Sequence, residues 1–144
     1  MADLAPQRYV EDLEPGMAHE MTRTVSEADV IAFADLTGDH NPIHLDEDYA
    51  KGTMFKTRIA HGAFVASFLS GIMGTQLPGP GAIFRSLNLN YRGPVRLGDT
   101  VLARVEIEEV NVAKNLVKLK VSCAVNGLKV VRGDALAWVA NRPA

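Results

Sequence analysis

The sequence predicts an α+β fold in which an antiparallel sheet curves around one apolar helix. Three observations predict it. The stretch HGAFVASFLSGIMG (61–74) has helical period and almost no charge. Beyond QLPGPG (76–81), apolar and polar residues alternate in strand-length runs. Asn126-Gly127 then marks a tight hairpin turn between the last two runs.

The elements follow in order. Residues 1–15 read as an extended arm and 17–25 as a short strand. Ser26 is a helix N-cap, with Asp29 three positions on completing a capping box. Val30, Ile31, Phe33, Ala34 and Leu36 recur with helical spacing until Gly38 ends the helix. TGDHNPIHLD (37–46) is expected as a loop. A short helical turn follows over Asp46–Lys51, and then an irregular segment, KGTMFKTRI.

In 61–74 the small residues Gly62, Ala63, Ala66, Ser67, Ser70, Gly71 and Gly74 form one stripe. Phe64, Val65, Phe68, Leu69, Ile72 and Met73 form the other. With no charged face, this helix is expected to be buried on nearly all sides. Each interior glycine costs roughly 1 kcal/mol against alanine, so close packing or function must compensate. AIFRSLNLNYRGPV, TVLARVEIEEV, NLVKLKVSCAV and LKVVRGDALAWVA read as a four-strand antiparallel meander, with Gly133 as a bulge.

The 144 residues fit one domain, 1–144, large enough for a core without disulfides. A net charge of −2 gives no reason to expect nucleic-acid or membrane-surface binding. The single cysteine, Cys123, cannot form an intramolecular disulfide, which fits a reducing compartment. The N-terminal MADLAPQRYVEDLEPG lacks the basic start and apolar run of a signal peptide, so a cytoplasmic location is expected.

TGDHNPIHLD gathers two acids and two imidazoles around Pro42. A surface turn explains Gly38, Asn41 and Pro42. It does not require Ile43, or a carboxylate and an imidazole five positions apart at Asp39 and His44. Asp46 reads as a cap for the next turn. A metal is not expected: Pro42 between His40 and His44 prevents the helical alignment that such a pair needs.

Three blocks together carry a family resemblance: Asp39-x-Asn41-Pro42-x-His44-x-Asp46, then IAHGAFVASFLSG, then NYRGPVRLGDTV. From about Glu14 to Val139 the chain resembles the MaoC-like (R)-specific enoyl-CoA hydratases. The resemblance implies a hot-dog fold, a sheet wrapped around a central helix, usually assembled as a homodimer or as a set of dimers. It implies reversible syn addition of water to trans-2-enoyl-CoA, giving (R)-3-hydroxyacyl-CoA, in fatty acid metabolism and without a cofactor. It also implies that Asp39 and His44 form the catalytic dyad, that the Gly62 N–H binds the thioester oxygen and that Ser70 lies near the site. Asn41 belongs to the same motif. Met73, one turn beyond Ser70, is then expected at the floor of a short acyl pocket.

The chemistry has three needs: activating water for attack at C3, delivering a proton to C2 and stabilising charge on the thioester oxygen. A carboxylate and an imidazole sharing one water meet the first two, and they titrate as a pair. Asp39 is assigned to polarise the water and His44 to protonate C2; the reverse division meets the same needs. A backbone N–H at a helix start meets the third.

His61 reads as a structural residue near a helix start. Arg58, Arg85, Arg92 and Arg96 are candidates for CoA phosphates, each read singly as an ordinary solvated arginine. Three other functions fit less well. They are dehydration of a branched, dicarboxylic or carrier-bound thioester, thioester hydrolysis on the same fold, and non-catalytic acyl-CoA binding.

Overall fold

A computed structural model describes residues 3–144. The arm is extended except for one 3-10 turn, Val10–Asp12, and Val10 and Leu13 pin it into the core. β1 (Ala18–Thr24) leads into α1 (Glu27–Thr37). The Ser26 hydroxyl accepts the Asp29 N–H and the Asp29 carboxylate accepts the Ser26 N–H, each at 3.1 Å, so the capping box forms as expected. Gly38 closes α1 in the left-handed conformation, at φ 81°.

The expected loop 37–46 instead contains a single helical turn, α2 (Pro42–Leu45), with proline at its first position, where the missing N–H is harmless. α3 (Glu47–Lys51) follows, capped by the Asp46 carboxylate, which accepts the Tyr49 N–H at 3.1 Å. α4 (Gly62–Thr75) is the expected apolar helix.

β2 (Ile83–Tyr91), β3 (Thr100–Asn111), β4 (Leu116–Val125) and β5 (Leu128–Trp138) complete one antiparallel sheet. Its order is β1-β3-β4-β5-β2. Only β3-β4-β5 is a meander. β2 crosses to the far edge beside β5, and β1 takes the place next to β3, so the four-strand meander is corrected. The β4–β5 turn has φ 50° at Asn126 and φ 81° at Gly127, the positive pair that the Asn-Gly signal requires.

Gly133 is not a bulge. It pairs in register with Leu89 and Val121, and the register shifts fall elsewhere. Its lack of a side chain serves close approach: a Cβ there would collide with the Asn88 carbonyl of β2.

α4 lies against the sheet, and Val65, Phe68, Leu69, Ile72 and Met73 join the core with inward residues of β3, β4 and β5. The expectation of burial on nearly all sides does not hold for this chain. Ala63, Ser67, Ser70, Gly71 and Gly74 of the small stripe are exposed. The edge strand β2 beside them is exposed along nearly its whole length.

Candidate active site

The site forms where the Asp39–His44 segment meets the first turn of α4. Asp39 follows the glycine that ends α1, and its carboxylate is exposed. It accepts the Asn41 N–H at 3.3 Å, which fixes the carboxylate over the turn. His44 projects inward from α2 and is 8% exposed. Its Nδ1–H donates to the Ile59 carbonyl at 2.7 Å, since a carbonyl can only accept. That bond sets the tautomer and leaves Nε2 as the lone pair facing the site. Burial holds the His44 pKa below the ordinary histidine value; the Ile59 carbonyl opposes this, His61 adds to it and Asp39 opposes it.

His61 is the structural residue near a helix start that the sequence leads one to expect, and its contacts go further than that. It is 1% exposed and immediately precedes α4. Its Nε2–H donates to the backbone carbonyl of Asp39 at 3.0 Å. Its ring lies over that of His44, with centroids 3.9 Å apart. Its Nδ1 is buried without a hydrogen-bond partner among the described residues. Such an atom carries a desolvation penalty unless something reaches it. No spacing rule would have found these partners. The hint was a histidine flanked by Ala60 and Gly62 at the start of an apolar helix.

Asp39, His44 and His61 each offer a donor atom within 4.8 Å of the others. Two imidazoles and a carboxylate could bind a divalent cation, a possibility that opens through His61 rather than through His40. His40 instead meets Asp35 at 3.1 Å.

Gly62 opens α4 and lines a cavity of about 440 Å3 together with His44, Ile59, Val65, Tyr91 and Arg92. A Cβ here would stand 2.8 Å from Cε1 of Tyr91, so any larger residue would have to displace that ring. The Gly62 N–H belongs to the first turn, where a helix supplies no acceptor. The cavity walls are chiefly apolar, and Met54 and Phe55 help to form them. A polar pair and a helix N-terminus at an apolar cavity suit a ligand that is greasy at one end and develops negative charge nearby.

The other expected residues lie elsewhere. Asn41 caps α2, its side chain accepting the Ile43 N–H at 3.2 Å, and it does not line the cavity. Ser70 is exposed and lines a second hollow of about 450 Å3, with Ala63, Ala66, Ser67, Leu87, Leu89 and Tyr91. Tyr91 is therefore the wall common to both spaces. Met73 is 3% exposed within the core and lines neither of these two spaces. Arg58 is engaged structurally: Nε donates to the His44 carbonyl at 2.7 Å, and the guanidinium pairs with Glu27 at 3.0 Å.

Known proteins resemble this chain over nearly its whole length. The family model described as MaoC like domain matches residues 11–127. The (R)-specific enoyl-CoA hydratase of Rhodospirillum rubrum is 45% identical over 134 residues, 93% of each chain. The 3-hydroxybutyryl-CoA dehydratase of Methylorubrum extorquens is 46% identical over 131 residues, 91% of this chain and 83% of that protein. Among solved structures, an (R)-hydratase from Aeromonas caviae superposes with a TM-score of 0.87 at 36% identity, covering 90% of this chain and 98% of that one. With the matched region spanning both the Asp39–His44 segment and α4, the chain belongs to the MaoC-like domain family and has its hot-dog fold.

Proposed function

We propose that the protein is an (R)-specific enoyl-CoA hydratase, adding water reversibly to trans-2-enoyl-CoA to give (R)-3-hydroxyacyl-CoA. The observation that carries the reading is one constellation. The Asp39 carboxylate and the free Nε2 of His44 stand beside an apolar cavity whose wall includes the N-terminal Gly62 of α4. The family relatives named above are similar in sequence along the same segments.

A water between Asp39 and His44 gives one O–H to the carboxylate and the other to Nε2. As its oxygen bonds to C3, the neutral imidazole takes the second proton. The π electrons of the C2–C3 bond move toward the thioester, and the Gly62 N–H meets the charge that develops on the carbonyl oxygen. His44 then returns the proton to C2 from the face on which water attacked, so the addition is syn and the enzyme ends unchanged. The lowered His44 pKa favours the neutral base that begins this sequence. An oxyanion N–H of this kind lowers the barrier by roughly 3 kcal/mol. His61 acts here as a positioning residue: it grips the Asp39 carbonyl, stacks on His44 and stands next to Gly62, tying all three together.

A thiolate route has no support, because burial pushes the Cys123 thiol up to about 12. The working unit in this reading is a homodimer. The open small-residue face of α4 and the exposed Ile83, Phe84, Leu87 and Tyr91 of β2 would pack against a second copy, covering an unpaired sheet edge. No helix is long and apolar enough to cross a membrane among the described residues.

The test is hydration of crotonyl-CoA, followed as loss of enoyl absorbance, with chiral analysis of the 3-hydroxybutyryl product and light scattering on the same sample. The (R) product from a dimer is expected. An (S) product, or release of free CoA, would overturn the reaction.

A further inference from the structure

The outer face of the sheet, turned away from α4, carries a second polar feature. A groove of about 420 Å3 there is lined by five cations, Arg92, Lys118, Lys120, Lys129 and Arg132, and by two acids, Glu108 and Asp134. The chain as a whole has 15 Lys and Arg against 17 Asp and Glu, so this excess is local. Both acids are already engaged. Glu108 pairs with Lys118 at 3.7 Å, and Asp134 accepts the side-chain N–H of Asn88 at 3.1 Å. Among the described residues Arg92, Lys120, Lys129 and Arg132 enter no ion pair.

The sheet register builds the cluster. Arg132 stands opposite Asn90 on one side and Ser122 on the other, so no acid faces it across either ladder. Toward the β1 edge the pattern changes. Arg104 is neutralised by Glu20 at 3.6 Å and Glu106 at 2.7 Å. Lys120 stands opposite Glu106 and Asp134 without pairing to either, and the other unpaired cations, Lys129, Arg132 and Arg92, lie on β5 and at the end of β2. There, Arg92 lines both this groove and the cavity that holds His44 and Gly62.

We propose that the groove binds the phosphates of the CoA nucleotide, with Arg92 meeting the molecule where it leaves the cavity. The inference rests on the reading of the chain as an acyl-CoA enzyme. An acyl-CoA is neutral through its acyl chain and pantetheine arm, and ends in a diphosphate and a ribose 3′-phosphate. An apolar cavity leading through one arginine to a set of unpaired cations matches that order of chemistry. Guanidinium groups bind phosphate oxygens in bidentate fashion, and lysines add point charge. The groove is open to solvent, so the attraction is screened by salt.

The experiment compares two substrates that share the reacting end, crotonyl-CoA and crotonyl-pantetheine, which lacks all three phosphates. In the parent, kcat/KM should favour the CoA ester. In Lys120→Gln/Lys129→Gln/Arg132→Gln that preference should collapse by tenfold or more, through KM for crotonyl-CoA. Adenosine 3′,5′-bisphosphate should compete with crotonyl-CoA in the parent, and less so as salt is raised. The single variant Lys129→Gln, checked by circular dichroism, guards against loss of folding and should show a smaller shift in the same direction. A preference unchanged in both variants, with no inhibition by the bisphosphate, would overturn the groove assignment. Loss confined to a carrier-protein-bound crotonyl thioester would overturn it in favour of an acidic protein partner. If the parent hydrated neither small substrate, the functional reading would fail instead, a separate and visible result.

Discussion

The two faces of α4 are made from one uninterrupted sequence and do opposite things. Val65, Phe68, Leu69, Ile72 and Met73 are buried against the sheet, where each apolar side chain adds about 1.5–3 kcal/mol by leaving water. Ala63, Ser67, Ser70, Gly71 and Gly74 are exposed and bury little within the chain. The glycines weaken the helix, and no packing within this chain compensates. The first turn belongs to neither face. Gly62 lines the cavity, and the preceding His61 holds the Asp39 carbonyl. Packing against the sheet thus fixes the helix in place, and its first turn faces the cavity.

The sharpest way to break that comparison is to remove groups at the N-terminal site and measure turnover and stability separately. Asp39→Asn and His44→Ala should each nearly abolish hydration of crotonyl-CoA while the thermal midpoint stays close to the parent's for the exposed Asp39. A variant that keeps its rate within about tenfold has lost less than roughly 1.4 kcal/mol of barrier, too little for a dyad member.

Gly62→Val comes next in size. The branched side chain would press on Tyr91, since even a Cβ comes within 2.8 Å of that ring. It would also crowd the N–H offered to the thioester. Turnover should fall by about a hundredfold or more, with weaker acyl-CoA binding. Normal kinetics in that variant would remove the oxyanion assignment.

A smaller effect comes from pH. His44 must be neutral to accept a proton, and its folded pKa lies below the ordinary histidine value of 6.5. The acid limb of kcat/KM should therefore fall below that value. Stability moves the same way. Between the lowered folded pKa and the ordinary unfolded one, the unfolded chain binds the proton and the folded chain does not. Stability is thus lost as pH falls through that window. His44→Gln should flatten the stability dependence. An acid limb above the ordinary histidine range would contradict the assigned role.

These tests bear unevenly on what the sequence could reveal. The Ser26–Asp29 capping box, the Gly38 stop, the Asp46 cap and the Asn126-Gly127 turn were legible because each is decided within four residues. The pairing of β2 with β5 was not, since strand order depends on contacts that no local pattern encodes. Gly133 looked like a bulge because a strand glycine has two readings, and only the approach of Asn88 distinguishes them. At the proposed site, motif and resemblance singled out Asp39, His44 and Gly62, and the structure places them near one another. His61 was legible as a structural residue at a helix start, but its partners were not, because they are a carbonyl 22 positions away and a ring on another segment. The open face of α4 was misread because residue type records that close packing is required, but not whether the partner is the same chain.

The smallest effect on turnover is expected on the core face, at Met73. Its helical spacing from Ser70 suggested a pocket floor, yet its side chain is 3% exposed and lines neither hollow. Ser70 is on the open side, where Tyr91 separates its hollow from the cavity lined by His44 and Gly62. Met73→Ala should then act as an ordinary core truncation, destabilising the protein by roughly 2–5 kcal/mol through lost contacts and the void left behind. The ratio of kcat/KM for crotonyl-CoA to that for octenoyl-CoA should not move. The boundary between the two spaces makes the contrasting case, since Tyr91→Ala would join them and shift that ratio toward the longer chain. A ratio that shifts in Met73→Ala and holds in Tyr91→Ala would reverse the assignment. It would mean that the face of α4 packed on the sheet also reads the substrate, and the division of labour between the two faces would fail.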